Sequence, residues 1–228
     1  MPPSVNDGPN SWFSWRLANS TGEGMHSIHA ALSAALHTNT QIITAAHQTD
    51  QSGNYVRTAG ERDIITTAGF VRCFVEFESF LEAAFAHYAM GGASTAGWTP
   101  TRYVDPPNVD HAHNMFVGFQ KFMDWSTPDR VRMLAGWYFE QGEPFSTPLA
   151  SAHQDILDMK TVRNGCSHVS RTTGPAMDAL FQRWTGKAQA SVTAYQILTA
   201  ISSTASFSFL QKSEQVLLSV CAQVANKT

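Results

Sequence analysis

The chain has 228 residues, of which 43% are hydrophobic and 11% aromatic, enough apolar material for a substantial core and too much for a disordered polymer. Its net charge of −3 and pI near 6.3 argue against bulk electrostatic capture of long nucleic acid, so any contact with a polyanion has to be local. Three cysteines, Cys73, Cys166 and Cys221, stand far apart and form neither a disulfide framework nor a zinc pattern, which points to a reducing, cytoplasmic setting. The start of the chain has no basic, apolar signal pattern, and no run approaches the roughly 18 apolar residues of a membrane span.

Residues 1–20, rich in Pro, Gly, Asn and Ser, read as an irregular arm whose Trp12, Phe13 and Trp15 dock it on the body. Residues 21–228 read as a single all-helical domain. From Ser20 to Asp50, Ile28, Leu32, Ala35, Leu36, Ile42, Ile43 and Ala46 recur at helical spacing, and SGNYVRTAG breaks the run. The strongest periodicity follows over residues 61–92, where Ile64, Phe70, Phe74, Phe77, Leu81, Ala84 and Tyr88 mark a core helix ended by Gly91 and Gly92. Residues 93–108 form a loop, after which VDHAHNMFVGFQKFMDW predicts a helix carrying Met115, Phe116, Phe119 and Met123.

In STPDR a cap precedes a proline at the first helical position, predicting a helix from Thr127 to about Glu140. One more helix opens at Ser146 or Thr147 and buries Leu149, Ala152, Ile156, Met159 and Val162. RTTGP then breaks the chain ahead of helices near 176–184, over AQASVTAYQILTAISS and over FLQKSEQVLLSVCAQVA. No strand-length window alternates with a period of two, so the fold class is all-α.

The chemistry concentrates in TVRNGCSH, residues 161–168, at the end of one of these helices. Asn-Gly with a nearby Arg and His also describes an ordinary helix C-terminus. Cleavage of a phosphodiester, however, needs a proton acceptor poised near neutral pH and a fixed cation for the charge that develops on phosphorus, the tasks to which His168 and Arg163 are suited. Five residues apart, they point about 140° from each other on a regular helix, and a second copy of the motif across a two-fold axis would bring two of each to one cleft. Asn164, four residues before His168, shares its helical face. Between residues 159 and 187 five bases (Lys160, Arg163, Arg171, Arg183, Lys187) face one acid, Asp178, a local balance of +4 in a chain of −3.

RNGCSH resembles the Arg-to-His motif of HEPN domains (higher eukaryotes and prokaryotes nucleotide-binding), an all-helical superfamily with many ribonucleases, in its form with Asn after the Arg. FVRCFVEFESFLEAAF resembles the early aromatic HEPN helix with its Phe-Glu-x-Phe segment. The resemblance spans roughly residues 60–171 and is greatest to the stand-alone RiboL-PSP-HEPN-like and related prokaryotic groups. It implies a HEPN-like bundle with added N- and C-terminal helices, working as a homodimeric, metal-independent endoribonuclease that leaves 2′,3′-cyclic phosphate and 5′-hydroxyl ends. His168 would activate the ribose 2′-hydroxyl, Arg163 would stabilise the phosphorane, and Asn164 would fill the polar position after the Arg. Glu78 is placed like the acid some members use to orient the Arg or His, with Glu76 and Glu82 nearby. Lys160, Ser167 and Arg171 would support RNA binding. Toxin or defence roles, restrained by an antitoxin or regulatory protein, are common where such nucleases stand alone. The alternatives are a catalytically inactive RNA- or nucleotide-binding scaffold, and a helical module whose basic spot binds another protein.

No cofactor is expected, and no phosphate loop of the Walker or dinucleotide type occurs. His111 and His113, with His26, His29 or His153, lack partner ligands at metal-site spacing. Cys166 and His168 point apart on a helix, which reads as a bystander thiol. The stripe Phe70, Phe74, Phe77, Phe80 and Phe85 reads as core in preference to a base-stacking surface.

Overall fold

The structure, a computed structural model, describes residues 24–117, 123–167 and 170–228. They form an all-α bundle: α1 (Met25–Ala46), α2 (Ala59–Ala89), α3 (Val109–Val117), α4 (Pro128–Tyr138), α5 (Ser146–Ser151), α6 (His153–Ser167), α7 (Thr173–Thr185), α8 (Ala194–Thr199) and α9 (Phe209–Ala225). Among the described residues, extended pairing is limited to isolated bridges, such as Arg102 with Phe139. The arm with Trp12, Phe13 and Trp15 lies outside the described residues, as does Phe119.

The central element is α2. A capping box fixes its start: the Thr58 hydroxyl accepts from the Glu61 amide while the Glu61 carboxylate accepts from the Thr58 amide. Its aromatic stripe is core, with Phe70, Phe74, Phe77, Phe80 and Phe85 all buried. α1 runs antiparallel to it, with His29 against Phe80 at one end and His47 bonded to Thr66 at the other. The two helices approach closely where Gly69 meets Ile43: a Cβ on Gly69 would lie 2.6 Å from Ile43 Cγ1. α9 runs parallel to α2, tied at its end by the Tyr88 hydroxyl, which donates to the Val224 carbonyl at 2.7 Å. α6 crosses α2 antiparallel, so Lys160 and Arg163 face Glu78 while Cys166 comes near Asp63.

Several expected features change. Ile42 and Ile64 fit the apolar period but are 53% and 70% exposed, because no helix among the described residues covers those sides. The run from Ser146 is two helices broken at Ala152, and Met123 falls beyond the described end of α3. The helix expected over residues 188–203 shrinks to Ala194–Thr199, opened by a Thr193–Gln196 capping box. RTTGP is only partly a break, since Thr173, Gly174 and Pro175 already belong to α7.

Phe85 links the core to the loop that follows α3. Its ring packs against Phe116, Trp125, Tyr138, Phe139 and Phe145 at centroid separations of 4.8 to 5.6 Å. Trp125, seated in this cluster, anchors the turn 124–127 beside α6.

Candidate functional site

The site is built where that turn meets α2 and α6. Asp124 forms an Asx-type turn: its Oδ1 accepts from the Ser126 amide at 3.1 Å and the Ser126 hydroxyl at 2.5 Å. Its Oδ2 accepts from the Thr127 hydroxyl at 2.8 Å and from Lys160 Nζ at 2.9 Å. Lys160 Nζ also donates to Thr127 Oγ1 at 2.5 Å. Thr127 is the N-cap of α4, yet its hydroxyl serves Asp124 and not the helix amides. Pro128 at the helix start supplies no amide to satisfy there.

Lys160 and Arg163, three residues apart, lie on one side of α6, and both act electrostatically on Glu78 of α2. Arg163 Nη1 donates to Asn164 Oδ1 at 3.3 Å, so the Asn amide steadies the guanidinium. Glu78 is the acid of its helix that faces this group. Glu76, 2% exposed, pairs with Arg72 at 2.9 Å, and Glu82 meets His113 Nδ1 at 3.5 Å.

The two carboxylates of the cluster are driven in opposite directions. Burial raises the Glu78 carboxyl above the ordinary glutamate value and the Asp124 charge adds to this, while Arg163, Lys160 and the Ser126 hydroxyl pull against it. Burial also opposes ionisation of Asp124, but hydrogen bonds from Ser126, Lys160 and Thr127 outweigh it and hold that carboxyl at about 2. A half-buried pair of acids with opposed proton affinities is a frequent feature of functional sites.

Of the remaining expected residues, Ser167 is exposed at the end of α6 and Arg171 is exposed in the turn before α7. His168 lies outside the described residues. The expected basic spot is smaller than its sequence count: Lys160 is paired with Asp124, and Arg183 with Asp158 at 2.7 Å. Gly165 does not end the helix, which continues through Ser167; a Cβ there would lie 2.1 Å from Met177 Sδ on α7, so the glycine lets α7 pack against α6. Burial, with Asp63 adding to it, pushes the Cys166 thiol up to about 11, which leaves it protonated and a poor nucleophile.

The histidines weighed as metal ligands are spread out: His29 sits against Phe80, His113 meets Glu82, and His153 Nε2 lies 3.0 Å from Asp129 Oδ2. Among the described residues no three His, Cys, Asp or Glu side chains are grouped to hold a metal ion, and no helix is long and apolar enough to cross a membrane.

Sequence reasoning singled out Glu78, Lys160, Arg163 and Asn164, which the fold brings together. It missed Asp124, Ser126 and Thr127, although Asp-x-Ser-Thr is itself an Asx-turn signal. No protein-family model, no curated protein and no solved structure matches this chain. The class defined by fold and site is therefore an all-α bundle with a half-buried acid–base cluster between two of its helices.

Proposed function

We propose that the chain is a metal-independent endoribonuclease of HEPN type, working in the cytoplasm as a homodimer with a composite Arg163/His168 site. The observation that supports this reading best is the convergence of Lys160 and Arg163 with Glu78, far apart in sequence, on one face of the bundle. Such an arrangement offers fixed positive charge to a phosphodiester and acids to orient it.

In this mechanism the His168 imidazole takes the proton from a ribose 2′-hydroxyl, O2′ attacks phosphorus, and the P–O5′ bond breaks as O5′ takes a proton from an imidazolium of the paired His168 side chains. Arg163, steadied by Asn164, stabilises the charge on the phosphorane oxygens. The products are a 2′,3′-cyclic phosphate and a 5′-hydroxyl. Lys160, with Ser167 and Arg171 on the exposed side, holds the RNA backbone. The resemblance suggests a toxin or defence role for such a nuclease, with an antitoxin or regulatory protein as restraint. The test is incubation of a mixed RNA pool in EDTA with wild type and His168→Ala: cleavage by wild type alone is expected, and equal inactivity of both overturns the reading.

A second reading, an RNA-binding protein without catalysis, is favoured by one feature: the acids of the cluster balance its cations. RNA binding in the absence of cleavage by wild type would select it.

A further inference from the structure

α4 carries a stripe that no described part of the chain covers. Asp129, Arg130, Met133, Gly136 and Trp137 are exposed along the helix, and Glu140 is exposed just past its end. Met133 and Trp137, one turn apart on the same side, are 53% and 62% exposed. Tyr103, also exposed, is held at the C-terminal end of the helix by its amide, which donates to the Tyr138 carbonyl at 2.9 Å. Trp, Tyr, Met and Arg are the side chains enriched in protein interfaces.

Gly136 lies within this stripe. Glycine weakens a helix interior, and among the described residues nothing requires it here: a Cβ on Gly136 would meet nothing within 4 Å. Beside a large apolar side chain, a glycine lets a second helix approach closely and leaves a hole into which that helix can seat a side chain.

The stripe also carries two charges at the unfavourable ends of their own helix. Arg130 is in the first turn, where the helix dipole is positive, and Glu140 follows the last turn, where it is negative. Among the described residues neither has an ion-pair partner, whereas Asp129 is engaged by Arg132 at 3.5 Å and by His153 at 3.0 Å. A second α4 laid antiparallel on the first corrects both ends. Met133 and Trp137 are centred on Ala135, and so are Arg130 and Glu140. A two-fold axis there sets Met133 opposite the partner's Trp137 and Arg130 opposite the partner's Glu140, with every contact made twice. Each charge then lies against the favourable end of the other helix.

We infer that the exposed side of α4 is a self-association surface that takes a second copy of this chain in an antiparallel, two-fold pair. The stripe contains none of Glu78, Lys160, Arg163 or Asn164, so this contact is additional to the motif cleft of the proposed nuclease. If the motif pairs two chains, α4 joins such pairs. One short helix face makes a small interface, so the affinity is on the order of micromolar.

The experiment is sedimentation velocity on the full chain over about 1 to 300 µM, a range that brackets such an affinity. Wild type should show a concentration-dependent doubling of mass, and Trp137→Glu and Gly136→Arg should each weaken that step by about tenfold or more. Both positions are open to solvent, so the fold should be kept, which circular dichroism verifies. Arg130→Glu and Glu140→Arg should each weaken the same step, and the double exchange should restore it, because the two charges face each other across the pair. If wild type associates and all these variants associate equally well, the inference is overturned while a motif-paired dimer stands. Wild type that stays monomeric at every concentration overturns this inference and the homodimer of the proposed nuclease together. A double exchange weaker than both single changes overturns the antiparallel pairing. Unchanged association in Trp137→Glu, with Arg16 of the N-terminal arm newly open to trypsin, would assign the stripe to that arm and also overturn the inference.

Discussion

Gly165→Ala tests whether the motif glycine is a packing device or a helix terminator. In an isolated helix the change gains about 1 kcal/mol, because alanine is the better helix former. Here the new methyl would lie 2.1 Å from Met177 Sδ and 3.0 Å from its Cε, and Met177 is 1% exposed, so the thioether cannot swing into solvent. Overpacking of this kind costs about 1–3 kcal/mol. The two terms leave a net loss of about 1 kcal/mol, or roughly 2–4 °C in melting temperature for a chain of this size. Shortening the partner removes the clash, so in a Met177→Ala background the same Gly165→Ala change should stabilise by about 1 kcal/mol. The coupling across the cycle is then about 2 kcal/mol, large enough to read from urea unfolding. If Gly165→Ala raised stability in both backgrounds, the close approach of α6 and α7 would be refuted.

Asp124→Asn should cost about 1 kcal/mol at neutral pH, because it removes the carboxylate that accepts from Lys160, Ser126 and Thr127 in a half-buried setting. Its carboxyl is held near 2 in the folded protein, below the ordinary value of 3.8, so the contribution is complete above about pH 4 and lost as pH falls towards 2; denaturation curves of wild type and variant should converge there. Glu78 has the opposite sign. A carboxyl whose proton affinity is raised by folding favours the folded state below the ordinary glutamate value, and loses that contribution as pH rises through its folded value. Glu78→Gln should therefore melt higher than wild type at pH 7, and the gap should close in acid. Cys166 is held up at about 11 and Cys73 at about 12, and Cys221 is fully buried. Native protein should resist iodoacetamide at pH 8, all three thiols should react after denaturation, and, under the proposed nuclease activity, Cys166→Ala should cleave RNA as wild type does.

The helices most legible in the sequence are those whose apolar period is matched by continuous burial. α9 occupies Phe209–Ala225, the segment marked out by its apolar residues, and the phenylalanines of α2 are core. Periodicity gives a helix a phase but does not say which of its sides finds a neighbour: Ile42 and Ile64 keep the period of their helices and are nonetheless exposed. The stretch 188–203 looked helical from Ala, Gln and Leu, yet the chain instead ties Ser191 and Val192 amides to Asp178 before α8 begins. Within the site, Arg163 and Asn164 were legible from the side-chain types of the motif, Lys160 from the local excess of basic residues, and Glu78 only through the resemblance. Asp124 reaches Lys160 across 36 residues, and Gly165 is explained by Met177, a contact between helices that no local pattern encodes.

The central claim is that an Arg and a His from paired subunits share one cleft. Mixing Arg163→Ala with His168→Ala protein and allowing subunits to exchange tests it directly, since the mixed dimer keeps one guanidinium and one imidazole in that cleft. Each variant alone should fail to cleave RNA in EDTA, while the mixture should recover a measurable part of wild-type cleavage, with 2′,3′-cyclic phosphate ends seen by mass spectrometry. A mixture as inactive as its components, beside an active wild type whose subunits are shown to exchange, would contradict the composite site.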